Sequence, residues 1–305
     1  MPTLRERDRV AAGRWQVLLW WLQASGQRDR RHDLPRNPHT VDDLVPGGMA
    51  DDDLEVGTSA LNLQRVLGLG SYQTVWAMLH RYRDVMVVPG RDKLAGHVEM
   101  DEAFIGGIRP GKRGRGAAGK VLVVGAIERA QRGRGFGRAR LAVIPNAKSK
   151  ALHEFITANI TPGSLVISDA LSSYPNALAG SEYQHEPINI QRSGLKAHQL
   201  LPGVHRLFSL SKRWLEGTHQ GAVEAEHLQS YLDEFIFRFN RRTAHKRGLL
   251  FLRLIERAVE ADPIRYRDIV ANPQPTGLTR TPPRRRQWPR TLAVDPLDRP
   301  WRATT

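Results

Sequence analysis

The chain has 305 residues, of which 40% are apolar, enough for one or two domains with hydrophobic cores. Lys and Arg outnumber Asp and Glu by 46 to 31, and the net charge of +15 predicts a polyanionic partner, most commonly nucleic acid. A ribosomal or membrane-surface role fits the charge equally well. No cysteine is present, which excludes disulfides and thiolate zinc sites, and the apolar run 15–24 is too short to span a bilayer, so we expect no membrane partner.

We interpret residues 1–56 as an extension and not as a domain. An Arg-rich start and a Trp-rich amphipathic helix are followed there by an acidic stretch that Gly and Pro interrupt. From residue 57, apolar residues recur at helical spacing on both sides of a Gly-containing turn. Two short helices of this kind, the second with Arg81 and Arg83, resemble a helix-turn-helix. We therefore predict a small DNA-binding segment at 57–90, with an ordinary helical hairpin as the alternative.

The central region predicts strands and helices in alternation, joined by basic, Gly-rich connections that are either solvated loops or phosphate contacts. The predicted strands are 97–101, 121–128, 139–144 and 163–169. The predicted helices are 149–160, 203–217, 226–242 and 249–261. Residues 263–305 are rich in Pro and Arg and predict a flexible basic tail.

Two aspartates stand at the ends of predicted strands, Asp101 in "GHVEMDEAFIGG" and Asp169 in "GSLVISD". If these strands are neighbours in one sheet, the two carboxylates project side by side and repel each other unless a cation lies between them. Magnesium prefers oxygen ligands, and two such ions about 4 Å apart hold a phosphodiester for in-line attack. A turn-capping role is the alternative for Asp101.

A third ligand is expected from the helix 203–217, whose polar flank includes His205, Lys212 and Glu216. His205 follows Asp169 with 35 residues between them, and Lys212 lies seven residues further on, where it would hold a phosphate. Glu216 is a rival carboxylate, but it lies three turns from His205 at about 5.4 Å per turn. Taken alone, His205 reads as an exposed helical histidine.

The order Asp, Asp, third ligand and basic residue resembles that of the DDE transposases. The local sequence motifs resemble those of bacterial insertion-sequence transposases of the ISXO2-like group. The resemblance covers about residues 57–260. The stretches that carry it are "LNLQRVLGLGSYQTVWAMLHRYRDVM", "GHVEMDEAFIGG", "GRGAAGK", "TPGSLVISDALSSY", "KRWLEGTHQG" and "HLQSYLDEFIFRFNRR".

This resemblance implies an α/β fold in residues 91–262, an RNase H-like (retroviral integrase-like) mixed sheet flanked by helices. It implies a metal-dependent DNA transposase that hydrolyses a strand at an element end and joins the new 3′-hydroxyl to target DNA. Asp101, Asp169 and His205 would bind two Mg²⁺ or Mn²⁺ ions, and Lys212 would position DNA. The residues expected to contact DNA are Lys112, Arg113, Arg115, Lys120, Lys212 and Arg213.

The implied partner is double-stranded DNA, both the terminal inverted repeats and the target, bound by a homo-oligomer. The implied location is the cytoplasm, in association with the nucleoid. His205 departs from the Glu of most DDE enzymes, and imidazole suits Mn²⁺ or Zn²⁺ better than Mg²⁺. The family's usual N-terminal zinc ribbon requires cysteines, which this chain lacks. An inactive or domesticated DNA-binding relative and an RNase H-like nuclease or resolvase remain alternatives.

Overall fold

Five strands form one mixed sheet in the computed structural model, which describes residues 57–271 except 89, 107–119, 131–134, 221–222, 245–246 and 262–263. The strands are β1 His97–Ile105, β2 Val121–Arg129, β3 Phe136–Val143, β4 Leu165–Asp169 and β5 Gln184–Ile188. Their order is β3-β2-β1-β4-β5, with β1 to β3 antiparallel and with β4 and β5 parallel to β1. This order and these directions are those of the RNase H-like fold, and they confirm the predicted fold class.

Helices cover both faces of the sheet, and further helices precede and follow the sheet region in the chain. They are α1 Ala60–Leu67, α2 Tyr72–Met86, α3 Ser149–Asn159, α4 Ser173–Leu178, α5 Ile190–Ser193, α6 Ala197–Leu200, α7 Pro202–His219, α8 Leu228–Asn240, α9 Arg247–Glu260 and α10 Tyr266–Ala271. The four predicted helices of the central and C-terminal regions correspond to α3, α7, α8 and α9. Within the described ranges, no helix has the length and apolar character needed to cross a membrane.

Alternation along the strands sends apolar side chains into two separate cores. On one face, residues of β2 and β3 pack under α7 and α8 around the fully buried Trp214 and Phe235. On the other face, Val98 and Met100 of β1 pack under α3 and α4. Because successive strand residues point to opposite faces, Glu99 and Asp101 lie on the face that α7 covers.

Helices α1 and α2 begin at serine caps. The Oγ of Ser59 accepts a hydrogen bond from the amide of Asn62 at 3.2 Å, and the Oγ of Ser71 accepts one from Thr74 at 3.3 Å. Gly68 ends α1 with a φ of 62°, a conformation that favours glycine.

The two arginines that suggested DNA contact by α2 face the protein instead. Arg83 is 2% exposed and forms an ion pair with Glu234 of α8. The Nε of Arg81 donates to the carbonyl of Ile264 at 2.7 Å. These two side chains therefore fasten α2 to the rest of the fold and give no support to a DNA-reading role for it.

The edge strand β3 is covered by side-chain amides of α8, which replace a neighbouring strand. The Oδ1 of Asn240 accepts from the amide of Ala139 at 2.7 Å, and its Nδ2 donates to the carbonyl of Ala139 at 3.1 Å. The Oε1 of Gln229 likewise accepts from the amide of Val143 at 2.8 Å. These bonds satisfy backbone groups that an open edge would offer to another chain.

The described start of the predicted tail includes the short helix α10, packed on α2. Ile269 is 8% exposed, and the ring of Tyr266 lies 6.1 Å from that of Trp76. The predicted extension 1–56 and the rest of the predicted tail lie outside the described residues.

Candidate active site

Asp101 and Asp169 belong to neighbouring parallel strands. Glu99 of β1 pairs with Ile167 of β4, and the same register continued for two residues sets Asp101 beside Asp169, at the end of β4. Neighbouring strands lie about 4.8 Å apart. The structure thus confirms that the two strands are adjacent, and the ligand role of the two aspartates stays a prediction.

His205 reaches Asp101 from the first turns of α7. Its Nε2 lies 3.5 Å from Oδ2 of Asp101, and the two side chains are 32% and 18% exposed. That Nε2 atom is shielded from solvent and has no hydrogen-bond partner among the residues that the structure describes. A histidine nitrogen without a donor or acceptor, aimed at a carboxylate, is suited to bind a cation shared with that carboxylate.

The carboxylate of Asp101 lies in an environment that opposes its negative charge. Burial raises its pKa above the ordinary value, and the charge of Asp169 raises it further. The amide of Glu102, which donates to Oδ1 at 2.8 Å, lowers the pKa, as do His205 and Lys212. A divalent cation would relieve the repulsion between the two aspartates.

Lys212 lies two turns after His205 on the exposed side of α7, as the helical spacing predicts. Burial and the charge of Lys120 lower the pKa of Lys212, while Glu216 and Asp101 raise it. These influences place Lys212 in electrostatic range of both Asp101 and Lys120. Arg213 is exposed beside it.

The other predicted DNA contacts, Lys112, Arg113 and Arg115, lie outside the described residues. They belong to the connection between β1 and β2, which Lys120 ends. Their role therefore stays a prediction.

The three predicted ligands are not as tightly gathered as a closed metal centre. Among the described residues, the one group of three acidic or histidine side chains whose ligand atoms all lie within 4.8 Å of each other is Glu224, Glu226 and His227. That group lies before α8, and both of its carboxylates are exposed. The structure thus brings Asp101 and His205 together and, through the register of β1 and β4, sets Asp169 beside Asp101.

Helix α7 makes two close contacts that depend on glycine. A Cβ at Gly125, the β2 residue opposite Asp101, would lie 2.8 Å from Cζ of Phe208. A Cβ at Gly57 would lie 2.8 Å from Nε1 of Trp214. The contact at Gly125 brings the helix close to the sheet beside Asp101, whereas the contact at Gly57 packs the helix against the chain that precedes α1.

Two further acidic residues of β1, Glu99 and Glu102, lie near Asp101 in the strand. Their hydrogen-bond partners could not be predicted from the sequence. Glu102 projects to the opposite face from Asp101, where the hydroxyl of Tyr174 donates to its Oε1 at 2.5 Å. Burial, followed by the charge of Glu102, raises the pKa of Tyr174 well above its usual value. Glu99 is fully buried, and a glutamate inside an apolar strand is the sequence signal that could have drawn attention to it.

An RNase H-like sheet with aspartates on its two central parallel strands and a third candidate ligand on a following helix is the architecture of the DDE-superfamily transposases. Residues 93–240 match the family model of the ISXO2-like transposase domain. An uncharacterized transposase-like protein of Haemophilus influenzae is 32% identical over 98 residues, which are 32% of this chain and 77% of that protein. The chain belongs to the ISXO2-like transposase family.

Two solved structures show a more distant likeness. The pre-cleavage Mos1 transpososome is 13% identical with a TM-score of 0.33, over 86% of this chain and 90% of that chain. The Mos1 transposase paired-end complex with the left transposon end is 14% identical with a TM-score of 0.33, over 90% of this chain and 89% of that chain. The family assignment rests on the sequence matches alone.

Proposed function

We propose that this protein cleaves a DNA strand at the end of an insertion sequence in a metal-dependent reaction and transfers the resulting 3′-hydroxyl into target DNA. The observation that carries the proposal is the position of His205, whose Nε2 lies 3.5 Å from Asp101 while Asp169 lies on the adjacent parallel strand. Family membership supports a transposase, and this geometry supports an active one.

The residues present fit a divalent cation. Two carboxylates and an imidazole nitrogen form the donor set, and within the described ranges that nitrogen has no hydrogen-bond partner. Burial raises the pKa of Asp101. Oxygen and imidazole together suit Mn²⁺, and the carboxylates alone suit Mg²⁺. Ions held by Asp101, Asp169 and His205 would supply Lewis-acid stabilisation of the reacting phosphate and its leaving oxygen.

The basic residues around the site would hold the DNA. Lys212 lies on the exposed side of α7 in range of Asp101, so its ammonium group would bind a phosphate next to the reacting one. Lys120 and Arg213 would extend this contact along the backbone, together with Lys112 and Arg113 of the predicted basic connection. Neutralised phosphates release counterions, so binding would weaken steeply as salt rises.

The proposed partners are the terminal inverted repeats of the element and the target duplex. Two element ends would be processed by a homo-oligomer, and the protein would lie on the nucleoid. The segment 57–90 would contribute to DNA binding through its exposed surface, since Arg83 is buried.

A cleavage assay tests the proposal. The protein is incubated with a labelled element end and Mn²⁺ or Mg²⁺, and the wild type is compared with Asp169→Ala and His205→Ala. Glu216→Ala is the matched control, because Glu216 is an exposed carboxylate on the same helix as His205. We expect the first two variants to lose cleavage and strand transfer and Glu216→Ala to keep both.

The outcomes separate the proposal from its rivals. Cleavage without joined products would identify a nuclease or resolvase. DNA binding without cleavage in either metal would identify an inactive DNA-binding relative. Loss of activity in Glu216→Ala, with His205→Ala still active, would give the third position to Glu216.

A further inference from the structure

Glu99 is a fully buried carboxylate on β1, two residues before Asp101. Its Oε2 accepts hydrogen bonds from the amides of Gly203 at 2.7 Å and Val204 at 3.1 Å. Those amides belong to the first turn of α7, where backbone N–H groups have no partner within the helix. A negative charge at this end is also favoured by the helix dipole.

The other oxygen of Glu99 is fixed by Arg129 of β2. The Nε of Arg129 donates to Oε1 at 2.7 Å, and its Nη2 donates to the carbonyl of Leu200 at 3.3 Å. Leu200 is the last residue of α6, just before α7 begins. Glu99 and Arg129 therefore join two strands of the sheet to the chain that enters α7.

The first turn of α7 approaches the sheet so closely that it needs a glycine. A Cβ at Gly203 would lie 2.6 Å from Cε1 of Phe136 and 3.0 Å from Oε2 of Glu99. A buried charge costs free energy unless it is paired and hydrogen-bonded, and here three donors bind the same carboxylate. These hydrogen bonds fix the position of the start of α7, because each of them requires a specific distance and angle, which apolar packing does not.

We infer that Glu99, held by Arg129, is a positioning residue that sets the height and rotation of α7 and so brings His205 to Asp101. Glu99 and Asp101 share one face of one strand, about 7 Å apart at 3.4 Å per residue. His205 directly follows Val204, whose amide Glu99 binds. Glu99 and Asp101, the two β1 residues that contact the start of α7, therefore lie on the same strand. This positioning role rests on the proposed function of His205.

A double-mutant cycle on Mn²⁺ affinity tests the inference, measured calorimetrically on the full-length protein without DNA. Replacing a residue that orients a metal ligand typically costs 10- to 100-fold in affinity, so we expect Glu99→Gln to weaken Mn²⁺ binding at least about tenfold. In a His205→Ala background the same change should cost nothing further, because its effect passes through His205. An equal loss in both backgrounds would overturn the inference.

Glu128→Gln is the matched control. Glu128 lies on β2 and binds Arg138 at 2.8 Å and the amide of Ala95 at 3.0 Å, so it is an ion-paired glutamate of the same sheet that holds no part of α7. It should leave Mn²⁺ affinity unchanged. Arg129→Gln keeps the carboxylate of Glu99 but removes its partner, and it should also weaken Mn²⁺ binding. This variant provides the test if Glu99→Gln does not fold.

A second measurement needs no metal. In NMR spectra, Glu99→Gln should accelerate hydrogen exchange of the Gly203 and Val204 amides and shift the ring resonances of His205, while Glu128→Gln should do neither. If the wild type binds no Mn²⁺, the proposed metal centre fails, and these resonances alone decide the positioning role. Unchanged His205 resonances in Glu99→Gln would overturn it.

Discussion

The guanidinium of Arg83 donates its Nε hydrogen to Oε2 of Glu234 over 2.8 Å, in the interior between α2 and α8. The two side chains are 2% and 11% exposed. The Arg83 guanidinium also lies 4.6 Å from the centre of the Tyr231 ring. Helix α2 is thus fastened by charge to a helix that covers the sheet.

Arg83→Met should destabilise the fold strongly, because it removes the partner at 2.8 Å from the buried carboxylate of Glu234, while Arg238 lies further away, at 3.9 Å. Removing one partner of a buried pair costs about 3–5 kcal/mol, and the remaining arginine places the expected loss at the lower end. Urea denaturation measures it. Arg192→Met, at an exposed arginine of α5, is the control and should change the free energy of unfolding by less than about 0.5 kcal/mol.

Arg83 also shows what sequence periodicity can and cannot predict. Spacing identified α2 as a helix and placed its apolar residues inside, but it could not show that a charged residue faces a carboxylate 151 positions away. Strand β5 was missed for a related reason. Its sequence, QHEPI, is polar, half-exposed and contains a proline, so it lacks the alternation of a buried strand.

The candidate site was predicted where local signals sufficed. Asp169 ends β4 as predicted, whereas the prediction that Asp101 ends its strand was wrong, because β1 continues to Ile105. Helical spacing put His205 and Lys212 on one flank of α7. The partner of Glu99 could not be predicted, because Gly203 lies 104 residues away and only the folded chain brings its amide to that carboxylate.

Acid should destabilise the fold through His219. Burial, followed by the charge of Arg83, lowers its pKa from 6.5 to about 4. Between these values the unfolded chain binds the proton and the folded chain does not, so this stability is complete above pH 6.5 and is lost as the pH falls toward 4. The loss amounts to roughly 2–3 kcal/mol over that interval.

His219→Phe isolates this contribution, since a phenyl ring keeps the contacts with Tyr231 and Trp214, whose rings lie 4.2 Å and 5.5 Å from His219. The variant should gain stability relative to the wild type as the pH falls from 6.5 to 4, measured by chemical denaturation at several pH values. His198→Phe, at an exposed histidine, is the control and should show no such trend. A constant difference for His219→Phe would contradict the assignment.

Asn240→Ala should open the edge of the sheet. It removes both hydrogen bonds to the backbone of Ala139, a fully buried residue, and leaves a donor and an acceptor unpaired. Each such group costs about 1–3 kcal/mol, and the exposed strand edge should also increase aggregation. Denaturation and light scattering measure the two effects.

The matched control for Asn240 is Asn146→Ala, which removes a single exposed hydrogen bond to the amide of Lys148 at 3.0 Å. It should cost less than Asn240→Ala and should not promote aggregation. Equal losses in the two variants would show that the side chain of Asn240 does not protect the edge strand.

Asp101→Asn should lower the cleavage activity and raise the stability of the metal-free protein. Burial and the charge of Asp169 raise the pKa of Asp101, so keeping this carboxylate ionised costs the folded state free energy. Asparagine keeps an acceptor for the amide of Glu102 and removes the charge, and the melting temperature without metal should therefore rise. Cleavage should fall on the order of 10³-fold, because several kcal/mol of transition-state stabilisation are lost. Mn²⁺ at 100 times its Kd should stabilise the wild type by about 2.7 kcal/mol and the variant by much less.

Asp92→Asn is the control for this change, because Asp92 is an exposed aspartate, 52% accessible, that lies 3.8 Å from Arg138 and away from α7. It should leave cleavage and the Mn²⁺ effect intact and should not raise the melting temperature. If Asp101→Asn lowered the melting temperature without metal, the carboxylate would be stabilising the fold, and the electrostatic cost assigned to this position would be wrong. If it kept cleavage, Asp101 would have no part in the reaction, and its remaining role would be that of a strand residue in the middle of β1, whose carboxylate accepts a hydrogen bond from the amide of Glu102.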